Sequence, residues 1–325
     1  MANTTISTRQ LGRSDLEFTL LTFGCWQAGG SQWTDTNDDD SLAAMRAAYE
    51  SGITAFDSAE AYGDGHSETL LGRFIAQVGG DSLTIATKVG AGNLAADKVR
   101  ECCNASLSRL GIDCIDLYQI HWPSGTWGGE KAPIEETMTA LVELQQAGKV
   151  RALGVSNFNA DQIKEALQFG RIESLQPPYS LYFAPYVHNG TIQFCIENGI
   201  GVIPYSPLAQ GLVTGKFNRD NRPDDNRAGN ALFKDPAYEI ALDATRKLEP
   251  IAQRYDANTA QLALAWLIAQ PGVTSPIVGA RTPDQIRDSA RAASLEISSD
   301  DIEAISRIAQ PVLDAVPDDQ TNPWG

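Results

Sequence analysis

The sequence predicts an α/β protein folded as a single (β/α)8 (TIM) barrel, and three observations carry that expectation. Short apolar runs alternate with amphipathic stretches eight times; such alternation builds a parallel sheet, and eight units close it into a barrel. No Pro-, Gly- or Ser-rich linker divides the 325 residues, so residues 1–325 are expected to form one domain, a size such barrels commonly reach. Several of the apolar runs end in a chemically useful side chain, and the C-terminal ends of barrel strands are where catalytic side chains collect.

Residues 6–18, with Gly12, Arg13, Ser14 and Asp15 at the turn, read as an N-terminal hairpin that plugs the barrel bottom. Strands are expected at 19–23, 54–58, 83–89, 115–121, 150–157, 174–177, 201–205 and 275–279. Between and after them lie helical patterns at 40–50, 67–77, 96–110, 134–147, 160–169, 191–198, 257–270 and 283–292, the first opening on Asp40 and Ser41 and stopping at Gly52. A C-terminal helix over 298–309 opens on Ser298, Ser299 and Asp300. Two segments break the rhythm. One is 121–132, with Trp122 and Trp127 among glycines; the other is 209–237, rich in Asn, Asp, Arg and Gly. Both follow strands and so emerge as long loops on the catalytic face, and the second is expected to act as a flap over a ligand.

Hydrophobic residues make up 42% and charged residues 20% of the chain, as in a soluble globular protein with a sizeable core. A formal net charge of −16, from 25 basic and 41 acidic side chains, argues against nucleic acid and anionic membranes as partners. The first residues lack a basic segment followed by an apolar core, and no apolar run approaches a membrane span. A cytoplasmic location is the expectation, and no partner protein is indicated. Cys25, Cys102, Cys103, Cys114 and Cys195 show no metal-ligand spacing and read as reduced, with Cys102 and Cys103 packing in a helix.

The run to Asp57 delivers an acid at a strand end, with Tyr62 in the loop behind it; the runs to Lys88 and His121 deliver a cation and an imidazole. Three such ends can converge on one mouth. A phenol near its ordinary pKa of about 10 is a poor acid at neutral pH unless its phenolate is stabilised. Lys88 can supply that stabilisation, Asp57 can hold the ammonium charged, and His121 can orient an incoming carbonyl oxygen. The set suits protonation of an oxyanion as hydride reaches carbon. None of the four is a hydride source, so a nicotinamide cofactor is required.

Asp57, Tyr62, Lys88 and His121, in this order and setting, resemble the catalytic tetrad of the aldo-keto reductases. The similarity runs nearly the whole chain through Leu21-Thr22-Phe23-Gly24-Cys25-Trp26, Gly154-Val155-Ser156-Asn157-Phe158, Tyr205-Ser206-Pro207-Leu208-Ala209-Gln210-Gly211 and Thr274-Ser275-Pro276-Ile277-Val278-Gly279-Ala280-Arg281. It implies reduction of aldehydes and ketones by NADPH, with Tyr62 as the general acid. The same resemblance implies that Ser156, Asn157 and Gln176 hold the carboxamide and that Tyr205 stacks on the nicotinamide. Ser206, Leu208, Gln210, Gly211 and Lys216 would cover the pyrophosphate. Gly24, Cys25, Trp26, Asp57 and Gly279 would complete the cofactor surface, with Arg281, Gln285, Asp288 and Ser289 at its adenine end. Ser289 stands where the family commonly has Asn, and Ala280 offers no hydroxyl to a 2′-phosphate, so a preference for NADP rests on Arg281. Trp26, Trp122 and Trp127 would wall an aromatic substrate pocket.

Other readings of these residues exist. Asn157 or Asn159 can cap the helix that follows, which is an alternative to ligand contact at Ser156 and Asn157. A metal-dependent hydrolase could draw ligands from Asp57, Glu60, His66 and His121, but the chain has only three histidines and Lys88 would set a cation beside the metal; no metal is expected. The β subunits of potassium channels resemble the same family and bind the cofactor while serving a partner. The four tetrad residues and the absence of an N-terminal extension favour an enzyme.

Overall fold

The structure is a computed structural model and describes residues 6–30, 37–126 and 131–317. Strands β1 (Thr8–Gln10) and β2 (Glu17–Thr19) pair antiparallel as the expected hairpin. Then follow β3 (Thr22–Gly24), α1 (Asp38–Glu50), β4 (Ala55–Asp57), α2 (His66–Val78), β5 (Thr84–Val89), α3 (Ala96–Leu110), β6 (Ile115–Ile120), α4 (Ile134–Gln146), β7 (Val150–Ser156) and α5 (Ala160–Ala166). The second half runs β8 (Ser174–Gln176), α6 (Pro185–His188), α7 (Thr191–Glu197), β9 (Gly201–Val202), α8 (Ala237–Arg254), α9 (Thr259–Ile268), β10 (Ile277–Gly279), α10 (Pro283–Ala290) and α11 (Ser299–Asp314).

Strands β3 to β10 form one parallel sheet in the order β10-β3-β4-β5-β6-β7-β8-β9. The sheet curls until its edges meet: Val202 N donates to the Gly272 carbonyl, Thr274 N to the Val202 carbonyl and Ile277 N to the Pro204 carbonyl. Leu11, Leu16 and Phe18 of the hairpin pack with Ala55, Ala86, Leu117, Ala152 and Ile203 in an inner core. The alanines on β4, β5 and β7 leave the space that the hairpin's larger side chains fill, so the hairpin acts as a plug at one end. Because side chains alternate across a strand, residues two beyond this layer share its inward side. Asp57, Lys88 and Gln119 stand two beyond Ala55, Ala86 and Leu117, toward the strands' C-terminal ends.

Two helices lie outside the expected pattern. The four-residue α6 is one; α8 is the other, an 18-residue helix burying Tyr238, Leu242, Leu248 and Ile251, with Pro250 inside it. The segment 209–236 before α8 holds 3-10 turns at 209–214, 226–229 and 231–233, anchored by buried Leu212, Val213, Phe217, Leu232 and Phe233. Among the described residues no helix is long and apolar enough to cross a membrane, and all five cysteines are free.

Candidate active site

Register places Asp57, the last residue of β4, between Gly24 on β3 and Ala86 on β5. Its side chain is nearly wholly buried, and so is that of Lys88. The Lys88 Nζ donates to Asp57 Oδ1 at 2.5 Å, to the Ser58 carbonyl at 2.6 Å and to the Tyr62 hydroxyl at 3.2 Å. Three acceptors match the three protons of an ammonium. Since the phenol oxygen accepts from Lys88, its own proton is left for a second partner. The other Asp57 oxygen accepts from Gln176 Nε2 at 2.9 Å and from Gln119 Nε2 at 3.3 Å.

The loop carrying Tyr62 is tied down at two points. Gly63 adopts φ +64°, and its backbone lies so close to Gly29 that a side chain on either would strike the other's main chain. Glu60 Oε1 accepts from Gly90 N at 2.7 Å and Asn93 Nδ2 at 2.8 Å, while Glu60 N donates to the Lys88 carbonyl. His121 follows β6; its ring stands edge-on to that of Tyr62 with centroids 5.5 Å apart, and Trp26 lies 6.5 Å from Tyr62 on another side.

Electrostatics assign protonation states to the set. Burial raises the Tyr62 phenol above its ordinary value, with the Lys88 cation opposing and the Asp57 charge adding to the rise. For Lys88 burial acts to lower the pKa, but the charges and hydrogen bonds of Asp57 and Tyr62 outweigh it and hold the ammonium above its ordinary value. Burial, and then the Lys88 charge, push His121 well below the ordinary imidazole value, so it is neutral at pH 7. A neutral imidazole and a protonated phenol beside a fixed cation can meet a carbonyl oxygen from two sides.

The sequence profile of the Aldo/keto reductase family matches residues 20–310. The chain belongs to the aldo/keto reductase family. It is 32% identical over 320 residues to the NADH-specific methylglyoxal reductase of Escherichia coli (strain K12), covering 92% of this chain and 97% of that protein. A probable voltage-gated potassium channel subunit beta of Arabidopsis thaliana is 32% identical over 308 residues, 88% of this chain and 91% of that one. Among solved structures, the glycerol dehydrogenase AKR11B4 from Gluconobacter oxydans superposes with a TM-score of 0.85 at 30% identity, covering 99% of both chains.

In this aldo/keto reductase Ser156 and Asn157 close β7 beside Gln176. Asn157 adopts φ +63°; its Nδ2 donates to the His121 carbonyl and to Ser156 Oγ, and its Oδ1 accepts from the Tyr205 hydroxyl at 2.9 Å. The cap of α5 is Asn159, in a reciprocal box with Gln162. Asn157 is therefore not the helix cap; in the left-handed region it ties the end of β7 to the residues that follow β6 and β9.

The loop after Tyr205 holds three non-glycine residues in the left-handed region, Ser206, Ala209 and Gln210. Both amide atoms of Gln210 are buried without a hydrogen-bond partner among the described residues. Lys216 folds back against Gly211, which has no side chain to block it. Partial burial and then the cations of Arg227 and Arg281 pull Lys216 down to about 8. Arg227, absent from the sequence-based site, is gripped by both oxygens of Asp225. An unpaired amide with a lysine and two arginines nearby is a donor set that fits the phosphates of a dinucleotide.

At the start of α10 the Arg281 side chain is exposed, and its backbone N donates to Gln285 Oε1. Asp288 accepts from Asn258 and Gln261, the capping residues of α9, and Ser289 is buried. Gln285 thus closes the start of its own helix and Asp288 joins α10 to α9, while the Arg281 side chain faces solvent. Gly24 pairs in register with Gly279, whose missing side chain makes room for the Gln27 amide. The Cys25 thiol is fully buried and pushed far up by burial and then by the Asp57 charge, so it offers no thiolate. Leu208 is half-buried in the loop, and Trp122 is half-buried beside His121; Trp127 lies outside the described residues. No group of three or more His, Cys, Asp or Glu suited to a metal occurs among the described residues. His66 instead pairs with Asp38.

Proposed function

We propose that this chain is an NADPH-dependent reductase of aldehyde and ketone carbonyls, a single-domain closed (β/α)8 barrel whose active site is the mouth around Tyr62. The observation that carries the reading is the Lys88 ammonium, buried and shared between Asp57 at 2.5 Å and the Tyr62 oxygen at 3.2 Å. A bound nicotinamide cofactor supplies the hydride. Ser156, Asn157 and Gln176 would hold its carboxamide end, Tyr205 its ring, and Gln210, Lys216 and Arg281 its phosphates. Gly24, Trp26 and Gly279 would line its path. Tyr62 gives its proton to the carbonyl oxygen as negative charge develops there, and Lys88 stabilises the phenolate left behind. His121, neutral and edge-on to Tyr62, donates a hydrogen bond to the same oxygen and fixes its direction. Asp57 keeps the ammonium in place.

Preference for NADPH rests on Arg281, with Lys216 and Arg227 close by and no acidic residue adjoining it, although the Escherichia coli relative is described as NADH-specific. Small reactive carbonyls, received between Trp26 and Trp122, are the substrate class. The test is carbonyl-dependent oxidation of NADPH by the purified chain, alongside Tyr62→Phe. The variant should bind NADPH normally while losing about two to four decades in kcat; near-wild-type turnover would remove Tyr62 as the acid. The channel-subunit relative motivates a second reading, a cofactor-binding regulatory subunit. Cofactor binding without turnover across a panel of aldehydes and ketones would favour it.

A further inference from the structure

Asp57 commits one oxygen to Lys88, and the second is held by two amides, one from β6, two strands along the sheet, and one from β8, four strands along. Gln119 is fully buried on the inward face of β6. Register sets it against Gly154 on β7, which in turn pairs with Ser174 on β8. A Cβ on Gly154 would stand 3.0 Å from Gln119 Cγ and would collide with Ser174 Oγ. The bare backbone at Gly154 therefore leaves room for the Gln119 side chain, whose Oε1 accepts from Gln176 Nε2 at 3.4 Å. A carboxylate only accepts, so both amides present their NH2 groups to it.

We propose that Gln119 is a positioning residue for the reduction: together with Gln176 it anchors Asp57 Oδ2 so that Oδ1 stays on Lys88, and through Lys88 it sets how readily Tyr62 gives up its proton. The inference rests on Tyr62 being the acid. With Oδ2 held by two donors the carboxylate cannot turn, and Oδ1 keeps its place 2.5 Å from the Lys88 ammonium. Without Gln119 the carboxylate is held by Gln176 alone and is freer to turn, so the ammonium it seats is less firmly placed against Tyr62. The titratable groups around Asp57 are Cys25, Tyr62 and Lys88, with His121 facing Lys88. A substitution at Gln119 removes none of the four.

The experiment measures kcat and KM for a carbonyl substrate with NADPH across pH, on wild type, Gln119→Leu, Gln119→Glu and Tyr62→Phe. Gln119→Leu keeps the bulk and loses the donor. Expected are a kcat about tenfold lower and a basic limb moved about half a pH unit upward, with KM and cofactor Kd changed less than about twofold. In Gln119→Glu the introduced carboxyl donates while protonated and repels Asp57 once ionised. Activity should survive at low pH and fall as pH rises, a limb absent from wild type. An unchanged kcat and limb in Gln119→Leu, with only a lower melting temperature, would overturn the proposal, as would a flat profile in Gln119→Glu. If Gln119→Leu fails to fold, the Gln119→Glu profile decides alone. A Tyr62→Phe enzyme that keeps its turnover sinks the reading of the acid itself, whereas an inactive Tyr62→Phe beside unaffected Gln119 variants sinks this inference only.

Discussion

Replacing Lys88 by Met separates what the buried cation does for the fold from what it does for the chemistry. The substitution keeps most of the side-chain length and removes the charge, leaving Asp57 Oδ1 without its partner while Gln119 and Gln176 still hold Oδ2. Removing one member of a buried pair commonly costs about 3–5 kcal/mol, because the remaining charge is left uncompensated. For catalysis, a unit charge 3.2 Å from the phenol oxygen interacts with a developing phenolate by roughly 5 kcal/mol at an effective dielectric of about 20. The ammonium is shared with Asp57 and the Ser58 carbonyl, so only part of that interaction reaches the phenol, and a net loss of about two to three decades in kcat is expected. Adding Asp57→Asn should then recover most of the stability and none of the turnover. Urea midpoints and steady-state kcat on both variants test this, with NADPH titrated to confirm that the cofactor still binds. A Lys88→Met enzyme within about threefold of wild-type kcat would refute the role of the cation. So would a double variant that regained activity along with stability.

Two further outcomes bear on the cofactor and on pH. Arg281→Ala should weaken NADPH about tenfold or more and leave NADH nearly unchanged, read by fluorescence quenching; equal losses for both would remove Arg281 as the 2′-phosphate contact. Because His121 is held well below its ordinary value in the folded chain, the unfolded chain binds a proton that the folded one refuses once pH falls below about 6.5. Stability attributable to His121 is therefore present well above that pH and lost progressively beneath it, by about 1.4 kcal/mol at pH 5.5. Urea midpoints at pH 7.5 and 5.5 should drop less in His121→Gln than in wild type, and an equal drop would count against a neutral His121.

Much of the fold was legible because strand and helix periods differ and the two alternate along the chain, and the plugging hairpin announced itself through Gly12 to Asp15. Helix α8 was not. It follows the segment read as a flap, carries Pro250, and lies between the predicted seventh strand and the helix at 257–270, so a pattern of eight units was already satisfied without it. The four tetrad residues stood out because each closes a run or follows one, and the structure gathers them at one end of the sheet. Arg227 escaped notice inside a stretch of Asn, Asp and Arg, where only the fold brings it beside Lys216.

Gln119 shows most clearly why a site is only partly readable from sequence. A glutamine within an apolar strand gives no sign of which way it faces or what it meets. Its direction follows from the inward layer of Leu117, and its reach toward Asp57 from the parallel register of β6, β7 and β8. The room for it comes from Gly154, a residue that reads in sequence as part of a motif and in the structure as a gap. Register is a property of strands far apart in the chain, so neither residue alone contains the information; the pair acquires a meaning only when the sheet has closed around them. A side chain restored at Gly154 would strike Ser174 and crowd Gln119 together. The same glycine therefore serves the packing of the barrel interior and the seating of the carboxylate on which the Lys88 ammonium rests.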